Sequence, residues 1–103
     1  MSEPSTPPDE PTRTVTRDDA TSRYVLTVDG REAGQAEYAL DEGRILFLHT
    51  EVAKSAGGSG LGSFLVREAL ADVRERGLTV VPLCPFVAEY LRRHPEEADV
   101  VGT

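Results

Sequence analysis

A glycine-rich loop and three titratable side chains are the parts of this sequence best suited to chemistry. Four glycines fall within residues 57–62, between an apolar segment and a segment with helical spacing. A loop of this kind directs several backbone N–H groups to the positive end of a helix, where phosphate groups bind. The titratable side chains are His49, Glu51 and Cys84. The sequence therefore predicts an anion site with candidate catalytic groups beside it.

The segments on either side of the loop predict a strand, a helix and another strand. Arg44–Val52 is the most hydrophobic stretch, an apolar stripe at helical spacing starts at Leu61, and 78–83 is a short β-branched run. Strand, helix and strand in this order predict a parallel pair joined by a right-handed crossover. Because the carboxyl ends of parallel strands meet at one edge, Cys84 should lie beside the glycine loop.

The remaining elements place this unit after an antiparallel meander. Apolar and polar residues alternate at Tyr24–Val28, Ala33–Ala39 is a second strand, and Arg13–Thr16 is a candidate edge strand. Residues 86–93 form a last helix that ends before Pro95. The predicted fold class is mixed α+β: an antiparallel β-meander, a βαβ unit and a C-terminal helix.

Simple alternation along Arg44–Val52 has a consequence for the candidate site. It places His49 and Glu51 on the same face as Ile45 and Phe47. Both faces are apolar at the start of this strand, so we expect it to be central and covered on both sides.

Length and composition limit the possible functions. The chain has 103 residues and a net charge of −7, which favours one domain over residues 13–103 and disfavours nucleic acid and membrane as partners. Residues 1–12 are rich in proline and polar residues and are predicted to be a disordered tail. The single cysteine excludes an internal disulfide and suits a reducing compartment, so a cytoplasmic protein is expected. We also expect a monomer or a weak dimer, and no bound metal.

Two other phosphate-binding loops are excluded by the residues present. A Walker A loop requires Lys after its second glycine, and Ser63 occupies that position. A dinucleotide fingerprint starting at Gly58 or Gly60 would end on Ser63 or Leu65 instead of glycine.

Three segments resemble a minimal, single-domain branch of the GCN5-related N-acetyltransferases. They are HTEV at 49–52, GSGLGSFLV at 58–66 and VVPLCPFVAEYLRRHPE at 80–96. The loop is similar to the family's acyl-CoA loop at Gly60 and Gly62, and it departs from it at Gly57, where Gln or Arg is usual. The resemblance implies a GNAT-like fold and acetyl-CoA as cosubstrate. The residues implied in binding it are Val52, Gly57, Gly58, Ser59, Gly60, Leu61, Gly62, Ser63 and Cys84.

The chemistry implied by the resemblance is direct attack of an amine on the thioester of acetyl-CoA. A general base helps because the amine must arrive neutral, and His49 and Glu51 are the candidates. Cys84 precedes a helix and could accept the acetyl group or protonate the departing thiolate. Tyr90 is a further candidate acid, and His94 could contact a CoA phosphate.

The function expected from the sequence is transfer of acetyl to an unidentified, cationic amine acceptor, since an acidic protein attracts cations. The alternative is a non-catalytic acyl-CoA-binding or sensor protein, because so short a domain lacks the extra elements with which larger relatives build an acceptor pocket.

Overall fold

The computed structural model describes residues 12–53 and 60–101, and its elements follow the predicted order. Four strands precede a helix, a fifth strand, a second helix and a short 3-10 helix. The bounds are Arg13–Asp18 (β1), Arg23–Val28 (β2), Arg31–Asp41 (β3), Arg44–Val52 (β4), Leu61–Glu75 (α1), Thr79–Pro82 (β5), Pro85–Arg93 (α2) and Pro95–Val100 (η1). Of the predicted tail, only Thr12 lies among the described residues, where its N–H donates to Asp29.

The five strands form one mixed sheet in the order β1-β2-β3-β4-β5. The first four are antiparallel to their neighbours, and β4 is parallel to β5, as the predicted fold class requires. The bounds predicted for β4 are confirmed. β3 is longer than the predicted Ala33–Ala39, because it stays paired from one hairpin turn to the next.

Two tight turns set the register of the meander. Asp29 and Gly30 have φ values of 51° and 83°, and Glu42 and Gly43 have 49° and 83°. Positive φ at both central residues is the two-residue hairpin geometry that matches the twist of the strands. Glycine at the second position adopts this backbone without the steric cost that a side chain carries.

Both helices pack on the same face of the sheet. Leu65 and Val73 of α1 and Val87 of α2 are buried in a single cluster with Ile45 and Phe47 of β4. The opposite face, called here the open face, has no helix over it in the part of the chain that the structure describes. The prediction that β4 is covered on both sides is therefore wrong. β4 lies inside the sheet, yet Leu48 keeps 46% of its surface exposed.

A polar network ties α1 to the meander. The Asp72 carboxylate accepts hydrogen bonds from the Tyr24 hydroxyl and from the Arg17 guanidinium, each at 2.6 Å. Asp19 likewise accepts from Tyr38 at 2.7 Å and from Arg17 at 3.0 Å. Burial and the bond to Asp72 raise the pKa of Tyr24, and burial and the bond to Asp19 raise the pKa of Tyr38 to about 12. These bonds satisfy the hydroxyls that the two aromatic rings carry into the core.

Across the residues that the structure covers, no helix combines the length and apolarity needed to cross a membrane.

Removing the acceptor in this network should destabilise the fold more than removing a surface carboxylate. We expect Asp72→Ala to lower the free energy of unfolding by about 2–3 kcal/mol, because the hydroxyl of the buried Tyr24 loses its acceptor. The measurement is urea unfolding followed by circular dichroism. The matched control is Asp99→Ala, which removes an ion pair with Arg74 that solvent screens, so its loss should be clearly smaller. Equal losses for the two variants would contradict the role given to Asp72.

Candidate active site

β4 and β5 separate at the carboxyl end of the parallel pair. Their register runs from Arg44 opposite Thr79 to Phe47 opposite Pro82. The Cys84 N–H then donates to the Phe47 carbonyl at 2.7 Å, which closes the base of the opening. Beyond Phe47, β4 continues to Val52 paired only with β3 among the described strands. The result is a gap, called here the β4–β5 gap, with bare β4 backbone on one side.

A β-bulge at Leu48 changes the faces of β4 at the start of this gap. Tyr38 pairs with Phe47, and the preceding Glu37 pairs with His49, so Leu48 is an extra residue. The alternation therefore shifts by one residue after the bulge. The predicted common face for Ile45, Phe47, His49 and Glu51 is wrong, because the sequence pattern contains no sign of the inserted residue.

The shift sends the polar side chains of β4 to opposite faces. Thr50 pairs with Ala36 and Val52 with Gly34, and both partners are buried on the helix-covered face. His49 and Glu51 lie on the open face. The His49 Nε2 atom is 2.8 Å from the Glu51 Oε1 atom. The side chains are 53% and 62% exposed, so solvent and a substrate have access to both.

Cys84 lies on the other side of β4 and is only 2% exposed. Its thiol donates to the Thr50 hydroxyl at 3.4 Å, across the base of the β4–β5 gap. Cys84 is the N-cap residue of α2, but its side chain makes no capping hydrogen bond there. The sequence placed Cys84 at this strand end and missed Thr50, whose orientation depends on the bulge.

The N-terminus of α1 is open to an anion. Its N-cap, Gly60, has φ 94° and offers no side-chain acceptor, and the first turn contains no acidic residue. The first N–H groups of a helix have no partner within it, and here the first turn itself has no acidic residue to offset their positive end. Leu61, Gly62 and Ser63 are in this turn, as predicted, and Leu61 is buried. Gly57, Gly58 and Ser59, the other predicted loop residues, lie outside the described residues.

Phe86 connects the two halves of the site. It follows Cys84 and Pro85 in the first turn of α2 and is 43% exposed. Its ring lies so close to α1 that a Cβ atom on Gly62 would be 2.5 Å from the end of the ring. The sequence pattern shows Gly62 as a loop residue, whereas its role in this contact depends on the helix packing.

A groove between α1 and α2 continues from this contact. It encloses about 300 Å³ and is lined by residues that include Ser63, Phe86, Tyr90 and Arg93. Glu89 also lines it, and hydrogen bonds from Arg92 and Arg93 lower the pKa of Glu89 to about 2. Tyr90 donates to Glu97 at 2.7 Å, so this hydroxyl already has an acceptor away from the β4–β5 gap.

The ends of β3 and β4 carry a second depression, of about 500 Å³. Gly34 and Glu51 are among its lining residues. The backbones approach closely here, since a Cβ atom on Gly34 would lie 2.7 Å from the Glu51 carbonyl oxygen. Glycine at this position therefore allows the end of β4 to lie where it does. Over residues 12–53 and 60–101, no three His, Cys, Asp or Glu side chains converge as metal ligands would.

Comparison with known proteins agrees with this architecture. Residues 23–100 match the family model of GCN5-related N-acetyl-transferases. The fold is similar to the NMR solution structure of a GCN5-like protein from Staphylococcus aureus, with a TM-score of 0.67 and 21% sequence identity over 86% of this chain and 87% of that one. No curated protein matches the sequence significantly. The family match extends over most of the chain and includes β4, α1, β5 and α2. The chain therefore belongs to the GCN5-related N-acetyltransferase family.

Proposed function

We propose that this protein transfers the acetyl group of acetyl-CoA to an amine, with the pantetheine arm in the β4–β5 gap. The observation that carries the proposal is the position of this gap, next to an uncapped helix N-terminus. An extended amide chain in the gap would find unpaired β4 backbone on one side. A pyrophosphate at its outer end would meet the N–H groups of α1.

The residues that would hold acetyl-CoA follow from this placement. The backbone of Val52 would bind the pantetheine amide, and the residues from Gly57 to Ser63 would bind the pyrophosphate. Phe86 would form an apolar wall between these two regions, because it lies against Gly62 and beside Cys84. β4 backbone N–H groups that face the gap would polarise the thioester carbonyl as charge develops on its oxygen.

The amine would approach from the open face, where His49 and Glu51 lie. If Glu51 accepts the Nε2–H of His49, the Nδ1 atom carries the lone pair and can take a proton. As the amine nitrogen bonds to the acetyl carbon, the carbon–sulfur bond breaks and the amine proton passes to His49. Glu51 then stabilises the imidazolium, so it acts as a positioning residue.

The leaving thiolate would be released toward the covered face, where Cys84 lies. The thiol of Cys84 can protonate it, while the hydroxyl of Thr50 keeps this thiol directed across the gap. When CoA leaves and water enters the gap, Cys84 would regain a proton from solvent and the imidazolium of His49 would release one to solvent. Direct attack by the amine requires no acyl-cysteine intermediate.

The acceptor best suited to the open face is a cationic amine. Glu37 lies opposite His49 on this face, and Glu51 lies two residues further along β4. With a net charge of −7 on the chain, these carboxylates favour an acceptor that carries a second positive charge, such as a diamine or a lysine-containing peptide.

Turnover should depend on His49 more than on Glu51. With acetyl-CoA and a panel of diamines and blocked lysine, we expect thiol release, and His49→Ala should lower kcat about 100-fold with little change in the KM for acetyl-CoA. Glu51→Gln should lower kcat about tenfold, because the imidazole keeps its place but loses the negative charge. The control is Glu75→Gln at the far end of α1, which should have wild-type kinetics. A His49→Ala variant with full turnover would exclude this residue as the base.

The role of Cys84 can be separated from covalent catalysis. We expect Cys84→Ala to lower kcat about tenfold and Cys84→Ser to retain more activity, because a hydroxyl can still deliver a proton. Intact-mass spectrometry of the wild-type protein with acetyl-CoA and no amine should show no added acetyl group. If the wild-type protein gains the mass of an acetyl group and Cys84→Ala does not, the mechanism proceeds through an acyl-enzyme and direct attack is wrong.

Ligand binding without turnover would point to the other function suggested by the sequence. CoA should raise the thermal unfolding midpoint of the protein in either case, because a ligand that binds the native state stabilises it. Stabilisation by CoA with no thiol release for any amine in the panel would leave a CoA-binding protein and refute the transferase.

A further inference from the structure

A further recess lies beside the N-terminal half of α1. It encloses about 390 Å³, and its lining includes Gly60, Ser63 and Arg67 of α1, Arg13 of β1 and His94 after α2. This basic recess, defined by Arg13, Ser63, Arg67 and His94, therefore adjoins the turn proposed to hold the pyrophosphate. Three elements distant in sequence contribute nitrogen-bearing side chains to it.

The two arginines lie near the same aromatic ring. The guanidinium carbon of Arg13 lies 4.9 Å from the centre of the Phe64 ring, and that of Arg67 lies 5.4 Å from it. Arginine stacks on aromatic rings and keeps its N–H groups free to bind an anion in fork geometry. Within the described part of the chain, Arg13 has no ion pair, and Arg67 has only a 3.6 Å contact with Glu68. Both guanidiniums thus remain available to a ligand.

Two carboxylates, Glu96 and Glu97, also line the basic recess, and each contacts a neighbouring side chain. Glu96 contacts the Nδ1 atom of His94 at 3.2 Å. Glu97 accepts from the Tyr90 hydroxyl at 2.7 Å and lies 3.5 Å from Arg74. Within residues 12–53 and 60–101, Arg13 has no ion pair and Arg67 has only its 3.6 Å contact with Glu68, so these two guanidiniums can meet an anion although the chain as a whole is acidic.

Its distance from the helix N-terminus restricts the kind of anion. Arg67 follows Ser63 by four residues, which is about 6 Å along the helix axis. A ligand that spans both places needs a phosphate at the helix end and a second phosphate about one sugar ring away.

We infer that the basic recess is a phosphomonoester subsite that binds the 3′-phosphate of CoA through Arg13 and Arg67. This inference rests on the proposed function, because it requires the pyrophosphate at the N-terminus of α1. It assigns the two arginines as the residues that distinguish CoA from dephospho-CoA. The guanidiniums donate paired hydrogen bonds to the dianionic phosphate, and Ser63 and His94 border the same space.

Calorimetric titration with CoA and with dephospho-CoA at low salt tests the inference. We expect the wild-type protein to bind CoA about tenfold more tightly than dephospho-CoA, because dephospho-CoA lacks the phosphate that accepts charge-assisted hydrogen bonds from the arginines. The Arg13→Ala, Arg67→Ala double variant should bind both ligands with equal affinity. Its affinity for dephospho-CoA should stay within about twofold of the wild-type value, since the remaining contacts are unchanged.

Two single variants serve as controls. Arg44→Ala removes an equal charge at the opposite end of β4 and should preserve the preference for CoA. Arg67→Lys keeps the charge without the fork and should retain part of the preference. The thermal midpoint of each unliganded variant shows whether it is folded.

The possible outcomes separate this inference from the proposed function. Equal wild-type affinity for the two ligands would refute the phosphate subsite and leave acetyl-CoA binding intact. An unchanged preference in the double variant, or an equal loss in Arg44→Ala, would also refute it. Failure of the wild-type protein to bind either ligand would refute the proposed function and the subsite together.

Discussion

The separation of β4 from β5 is the feature on which the rest of this site depends. Parallel strands in one sheet normally exchange hydrogen bonds along their common length, and here the exchange stops at Phe47. The Cys84 N–H donates to the Phe47 carbonyl. After Cys84 the chain enters α2 at Pro85, which has no backbone N–H to donate to β4. Beyond that point the backbone of β4 has no partner on its β5 side among the described strands, and a ligand chain could pair with it. The bulge at Leu48 occurs at the same level, so the side chains of β4 change faces where the gap begins.

The N-terminus of α1 and two arginines beside Phe64 would provide the proposed anion site of this acidic protein. The N-terminus of α1 has neither a side-chain cap nor an acidic residue in its first turn, although both usually stabilise a helix. Further along the same helix, Phe64 holds two guanidiniums at the edge of a recess. Carboxylates dominate the net charge, but near this helix end they are bound to Tyr90, His94 and arginine side chains. The proposed anion site therefore lies at one end of α1, and the open face, which carries Glu37 and Glu51, would suit a cationic acceptor.

Much of the fold could be predicted from the sequence, because its signals are local. Asp29-Gly30 predicts a two-residue hairpin, and apolar spacing predicts α1. The order strand, helix, strand then leaves one handedness for the crossover. These rules predict from the sequence alone that Cys84 lies beside the end of β4.

The orientation of the site residues depends on features that no local pattern reveals. A bulge inserts one extra residue into a strand without changing the hydrophobic pattern of the sequence. Leu48 therefore fits a regular alternation, and that alternation assigns His49 to the wrong face. The arginines of the basic recess are distant from each other in sequence, and only the packing of β1 beside α1 brings Arg13 to Phe64. The contact between Gly62 and Phe86 likewise depends on how α2 lies against α1. Helix-on-helix packing is a tertiary property, and the spacing of residues within each helix does not determine it.

The same bulge divides the proposed proton transfers between the two faces of the sheet. Without it, His49 would continue the buried face with Phe47, and its imidazole would compete with the core for space. With it, His49 and Glu51 reach the open face, and Thr50 turns toward the thiol of Cys84. An amine arriving through solvent would give up its proton on one side of β4, and the CoA thiolate would receive one on the other. This arrangement requires the acceptor side of the sheet to be accessible, which agrees with the packing of both helices on the opposite face. The exposed surface of Leu48 lies on strand β4, where the bulge begins.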